Sequence, residues 1–417
     1  MNRKTVIRSA NYKNQPGWFR AINAAWLNTY PLGTEVKLDK DRLIRAARKN
    51  TGLRDFGPDF WEEPLDRLLD SLVHEARLHP VGRFISGKRL VNLLSVRLRA
   101  QKYLKKHPEI LEQPLYPVTA IIGLQRTGTT KLHRLLASDP DCRALLSWEA
   151  LNPVPMNGEL NSAARRIRIA RLNERALRLL SPGFFAIHPV EHLAPEEDVL
   201  LLDASFLSTT PEAIAHVPSY SAWLENTDQS PAYEYTVKLL KILQWQRPAK
   251  RWVLKTPHHL EFIGLAKKHF ADVRFVWTHR NVHEAIPSFL SMVAHSRILF
   301  SNEVDAGEVA RHWVRKIGYM LERALQFRAD EANNRLITDV FYPDLVRDSG
   351  RVLSKIYEDR NLAISPELQR LFAMAEQSNP RAKYGIHAYS HGDFGIGVDF
   401  IDRHTRPYQE FQKRLIG

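Results

Sequence analysis

An apolar, β-branched run, Val118-Thr119-Ala120-Ile121-Ile122, leads straight into Gly123, and a second glycine, Gly128, precedes a helix opened by Thr129 and Thr130. A strand of this composition needs cover on both faces, so it belongs to a parallel sheet flanked by helices. A glycine turn between such a strand and a helix points successive backbone N–H groups at one place, with the positive end of the helix behind them. The element predicts an anion site at one edge of an α/β sheet.

The spacing from Gly123 to Gly128 matches the phosphate loop GxxxxGK followed by Ser or Thr, but Thr129 stands where the lysine belongs and Thr130 follows it. A cation is present inside the loop instead, as Arg126, whose guanidinium can fork two oxygens of a phosphate or sulfate. The hydroxyls of Thr127, Thr129 and Thr130 are expected to add hydrogen bonds. The ligand is then phosphoryl-like without being held as a nucleoside triphosphate is.

A second anion site follows the strand Val273–Trp277, which runs into Thr278-His279-Arg280 and then a helix carrying Ser288. A Mg²⁺-organising strand would end in an aspartate, whereas this one ends in cations, so the expectation is no metal. Eight residues of helix span about 12 Å, so Arg280 and Ser288 can share a ligand only if the arginine lies in the loop and reaches back.

Residues 1–115 read as helical, with apolar spacing from Leu65 to Leu78 and from Leu90 to Leu104, separated by a turn at Pro80-Val81-Gly82. From 116 to 417 strands alternate with helices. Further strands are expected at Trp252–Leu254, Val273–Trp277 and Leu336–Thr338, and helices at about Thr129–Ala137 and over 160–180. The Pro-punctuated stretch 182–231 is expected to form loops and short helices capping a site. The fold class is α/β: a P-loop-like parallel sheet with helices on both faces, plus a helical N-terminal region.

The chain carries 60 Lys+Arg against 46 Asp+Glu, a net +14 that favours anionic partners such as nucleotides, nucleic acid or acidic lipid. These charges are spread along the chain and no RNA- or DNA-binding motif accompanies them, so nucleic acid is not expected as a partner. One cysteine, Cys142, excludes an internal disulfide and matches a reducing compartment. The first residues lack an apolar leader core and no stretch reaches the ~20 apolar residues of a transmembrane segment. The expected location is cytoplasmic.

Taken together, the loop Arg126–Thr130 and the Arg280/Ser288 pair resemble the sulfotransferases that use 3′-phosphoadenosine-5′-phosphosulfate (PAPS), in particular their large bacterial branch. The resemblance implies that the loop grips the 5′-phosphosulfate and that Arg280 with Ser288 holds the 3′-phosphate. Trp252-Val253-Leu254-Lys255-Thr256-Pro257-His258-His259 is similar to the family's lysine-bearing strand end. Glu191-His192 with Glu196-Glu197 is similar to an acidic stretch over the acceptor cleft. Asp393-Phe394-Gly395 resembles the C-terminal loop, and Thr51–Gly57 resembles a further N-terminal run.

Sulfuryl transfer requires in-line geometry, charge stabilisation and a base for the acceptor's proton. Arg126 is expected on the sulfonate and Lys255 on the bridging oxygen. Glu149, in Leu146-Ser147-Trp148-Glu149, is the expected base, because the chain should return to the mouth of the site after the loop helix; His258 and His192 are its competitors. Tyr342 and the Tyr384–Phe394 loop are expected to enclose nucleotide or acceptor. The resemblance implies an acceptor hydroxyl or amine, expected on a small molecule, lipid or carbohydrate that the sequence does not identify. A P-loop kinase or other NTP-dependent transferase is the alternative, disfavoured by the missing lysine and acid.

Overall fold

The computed structural model describes residues 6–156, 158–159, 162–379 and 386–416. Its centre is a five-stranded sheet built from β1 (Val118–Gly123), β2 (Cys142–Ala144), β3 (Arg251–Lys255), β4 (Arg274–His279) and β5 (Ile337–Phe341), in the order β2-β3-β1-β4-β5. All neighbours pair parallel, with Ile121 opposite Lys255, Gly123 opposite Thr278 and His279 opposite Phe341. Every residue of β1 is buried, as its apolar composition requires of a central strand.

Side chains alternate between two cores along each strand. Ile121, Val253, Val276 and Val340 point to a core shared with Leu132, Leu135 and Leu136 of α1 (Thr129–Leu136). Ala120, Ile122, Trp252, Leu254, Phe275 and Trp277 point to a larger core that continues into the N-terminal helices. Four further helices position the site: α2 (Ala164–Leu180), α3 (Pro182–Ile187), α4 (Val282–Arg297) and α5 (Ala306–Arg328).

Pro80-Val81-Gly82 is not a turn between helices. Pro80 opens the helix Pro80–Lys106 at its first position, where a missing N–H costs nothing, and the Gly82 N–H donates to His79 Nδ1 at 2.9 Å. A Cβ on Gly82 would lie 2.0 Å from the Phe300 carbonyl oxygen, so the glycine marks a close backbone approach. Two pieces of sheet carry no signal in the sequence: the three-residue β2, and the pairing of Val6–Arg8 with Ile386–Ala388, which ties the N-terminal segment to the C-terminal one. Among the described residues, no helix is long and apolar enough to cross a membrane.

Candidate active site: two cavities sharing one wall

Because the sheet is parallel, the carboxyl ends of its strands converge on one edge, where α/β folds bind ligands. β1 delivers the loop 123–130, β3 delivers Lys255, β4 delivers Arg280 and β5 delivers Tyr342. Gly123 has φ +136°, and a Cβ there would meet the Thr278 Oγ1 at 2.3 Å. Gly128 has φ +93°, and its Cβ would lie 2.9 Å from the Tyr342 ring. Only glycine fits either position.

Between them Arg126 adopts φ +71°, a left-handed conformation costly for a side chain of this size and concentrated at functional loops. Its surroundings hold it there. Arg126 Nε donates to Ser288 Oγ at 3.0 Å, one terminal nitrogen donates to the Ile187 carbonyl at 3.2 Å, and its own carbonyl accepts from Arg280 at 2.9 Å. Arg280 also pairs with Glu284 at 2.7 Å and faces the Tyr342 ring at 4.4 Å. Arg280 does sit in the loop before α4, while Ser288 within α4 meets Arg126 rather than Arg280.

A cavity of about 480 Å³ opens over this loop, lined by Arg126, Gly128, Thr129, Thr130, Arg280 and Tyr342, with Lys131, Arg134 and Glu376 on its outer wall. Lys131 pairs with Glu376 at 2.5 Å and Arg134 with Glu191 at 2.6 Å. A second cavity of about 240 Å³ lies beneath the cap and is mostly apolar, walled by Phe184, Leu200, Ile214, Phe289 and Trp313, with Glu196, Thr209 and His258 as its polar edge.

The two cavities share Gln125, His188, Glu197 and Met292. Lys255 Nζ donates to Glu197 Oε1 at 2.5 Å from behind that wall. Glu197 is fixed by its neighbour: Asp198 accepts from His259 Nε2 at 2.8 Å, and the other ring nitrogen of His259 meets the Tyr233 hydroxyl at 2.8 Å, all three residues being fully buried. Burial holds His188 down to about 4 and His258 down to about 3, so both rings are neutral at pH 7. His258 Nδ1 meets the Thr209 hydroxyl at 3.3 Å, and its Nε2 has no hydrogen-bond partner among the described residues.

Residues 117–366, more than half of the chain, match the sequence profile of the sulfotransferase family. The chain belongs to the sulfotransferase family. The crystal structure of sulfotransferase STF1 from Mycobacterium tuberculosis H37Rv superposes with a TM-score of 0.78 at 29% identity, covering 89% of this chain and 99% of that one. Sulfotransferase STF9 from Mycobacterium avium gives 0.80 at 26% identity, covering 89% and 96%. Among curated proteins none matches the chain. The protein is an enzyme of the PAPS-dependent, bacterial type.

In this sulfotransferase Glu149 does not reach the mouth of the site. It is 1% exposed, its carboxylate accepts from Arg143 at 2.9 Å, from Arg247 at 3.2 Å and from the Leu146 N–H at 3.0 Å, and it lines neither cavity. It sits in the short helix Ser147–Leu151 that follows β2, and its side chain caps that helix's own first turn. His192 is likewise turned away: its Nδ1 meets Glu174 of α2 at 2.6 Å. The Thr127 hydroxyl does not face the cavity either; it donates to the Leu124 carbonyl at 2.6 Å and meets the Thr278 hydroxyl at 2.6 Å.

Of the other expected pieces, Thr51–Gly57 lines neither cavity: the Phe56 carbonyl accepts from buried Arg97, which is clamped between Phe60 and Tyr235. Asp393 accepts from the Ser390 N–H and Phe394 is buried, while Tyr384 lies outside the described residues. His188, Gln125 and Met292 were not singled out by the sequence.

The Glu149 contacts lead to a prediction about stability. Glu149→Gln leaves the Arg143 guanidinium buried without its counter-charge and should cost about 2 kcal/mol, read as a lower urea midpoint with unchanged slope. The kcat of the folded fraction should stay within about twofold of the parent.

Proposed function

We propose that this sulfotransferase carries a sulfuryl group from PAPS in the larger cavity to the hydroxyl of an apolar molecule in the smaller one, with Glu197 as the base. The observation that carries the reading is the shared wall: Glu197 touches both cavities and Lys255 stands directly behind it.

In this reading Arg126 and the loop amides neutralise the 5′-phosphosulfate, Arg280 takes the 3′-phosphate, Ser288 fixes Arg126, and Tyr342 flanks the nucleoside. The gates of the larger cavity, Thr129 and Thr130, supply hydroxyl donors. Cations and N–H groups do here what Mg²⁺ does for nucleoside triphosphates, so the chemistry proceeds without a metal.

As the acceptor oxygen forms its bond to sulfur, the sulfur's bond to the bridging oxygen breaks and that electron pair stays on the leaving phosphate. Lys255 leaves Glu197 to meet the charge developing on the bridging oxygen. Glu197, relieved of its partner, takes the acceptor's proton. His258, neutral and with Nε2 unpaired, orients the hydroxyl from the far side.

The apolar lining selects the acceptor. Burial raises the Glu196 carboxyl above its ordinary value, as expected beside a cavity this dry. A series of primary alcohols of increasing chain length, assayed with saturating PAPS, should show kcat/KM rising about fourfold per methylene, the worth of a buried CH₂, until the cavity is full. A flat series, with sugars turned over faster than any alcohol, would reassign the smaller cavity to a carbohydrate.

A further inference from the structure

The helix α2 presents an outer face that sulfuryl transfer does not use. Its 17 residues hold six arginines against a single acid, Glu174. Two of the arginines are spent inside the protein: Arg166 is buried against Glu159 at 3.0 Å and over the Trp148 ring at 4.8 Å, and Arg178 pairs with Glu174 at 2.6 Å and stacks on Phe185. The remaining four, Arg165, Arg168, Arg171 and Arg175, are exposed, and among the described residues none of them forms an ion pair.

Apolar side chains stand among these charges. Leu172 is 54% exposed and Leu179 64%, and the three-to-four-residue steps through Arg168, Leu172, Arg175 and Leu179 place them on one stripe. Leu193, 55% exposed, is brought beside the helix by its neighbour His192, whose ring is bonded to Glu174. A surface helix kept only for solubility mixes both signs of charge and leaves leucine out.

Four uncompensated guanidinium groups repel a second copy of the same face, so self-association is not the use of this surface. A nucleic-acid backbone would satisfy the arginines and leave the leucines in water. An anionic bilayer satisfies both, taking arginine at the headgroup phosphates and leucine at the acyl boundary. Its position agrees: α2 packs against α3, whose Phe184 lines the apolar cavity.

We infer that α2 docks this enzyme on an anionic lipid bilayer, with Arg168, Arg171 and Arg175 at the headgroups and Leu172, Leu179 and Leu193 in the boundary layer. The docked enzyme holds the cap over its smaller cavity against the membrane, so a membrane-dissolved alcohol reaches Glu197 without crossing water. That last step rests on the proposed acceptor; the docking itself does not.

The test is co-sedimentation of the full chain with vesicles of phosphatidylcholine alone or with about one third phosphatidylglycerol. Binding should be confined to the anionic vesicles and fall with salt. The triple variant R168Q/R171Q/R175Q should weaken it about a hundredfold, at about fivefold per arginine near a charged surface. L172A/L179A should weaken it while leaving the salt dependence unchanged. Affinity for adenosine 3′,5′-bisphosphate, equal in all variants, certifies the fold and is read without turnover. Absence of vesicle binding by the parent, or binding that survives the triple arginine change, overturns the inference. So does tighter binding to duplex DNA that is indifferent to the leucines.

Discussion

Glu197→Gln lowers kcat by about 10²–10⁴-fold, the worth of a positioned general base, and leaves PAPS affinity where it was. Glutamine keeps the size of the side chain and can still accept a hydrogen bond from Lys255, so the packing of the shared wall survives. What it cannot do is take the acceptor's proton. The location supports the assignment: Glu197 borders both cavities, is paired with Lys255, and is held through Asp198, His259 and Tyr233. His258→Ala made alongside should cost less than Glu197→Gln, because His258, held down to about 3 by burial, borders only the smaller cavity, whereas Glu197 borders both. Rapid-quench single turnover isolates the chemical step. A Glu197→Gln enzyme with more than about half of the parent's single-turnover rate would remove the glutamate from the reaction and return the role to His258.

Lys255→Ala should lower kcat by about 10²–10³-fold, the effect of deleting one preorganised donor aimed at developing charge. Lys255 is at the end of β3, is 3% exposed, and sits one strand over from the loop bearing Arg126. In the resting enzyme its ammonium is paired with Glu197. During transfer the charge appears on the bridging oxygen, and Lys131, the lysine that lines the larger cavity, is paired with Glu376 on its outer wall. Because the deletion also leaves Glu197 without its counter-charge, the variant needs a stability measurement, and Lys255→Arg is the companion that keeps the charge. Lys255→Arg should retain part of the rate that Lys255→Ala loses. Equal loss in both, accompanied by an unchanged unfolding midpoint, would show that charge at this position is not what matters and would shift the role to Arg126.

The parts of this enzyme that were legible in the sequence are those governed by local rules. Val118–Ile122 announces a doubly covered strand by composition, and Gly123 and Gly128 announce the loop because backbone approach at Thr278 and Tyr342 excludes a Cβ. Lys255, Arg280 and Tyr342 follow, since strand ends in a parallel sheet share an edge. What escaped depends on partners distant in the chain. Glu149 follows the loop helix and β2 but lines neither cavity: Arg143 and, 98 residues away, Arg247 claim its carboxylate, and no local pattern shows the second of these. Thr127 and Thr129 look alike in the sequence; the turn sends one hydroxyl to Thr278 and the other residue to the cavity.

The cap hid the rest. Its helices are as short as four to six residues, too brief for a helical period, so the acidic stretch at Glu196-Glu197 could be recognised without its orientation. His188 gave no signal, because a histidine before a proline is usually a loop residue; it enters the shared wall only through the packing of α3. Pro80 was misleading for a physical reason: proline ends a helix from inside but opens one at its first position.

The most direct measurement is transfer of radiosulfur from labelled PAPS to a long-chain alcohol, run beside labelled ATP with Mg²⁺ under the same conditions. The expected result is label on the alcohol from PAPS, one adenosine 3′,5′-bisphosphate formed per alcohol modified, loss of transfer in Glu197→Gln and Lys255→Ala, and none from ATP. Phosphoryl transfer from ATP with no movement of sulfur, or sulfur transfer that both variants retain, would contradict it.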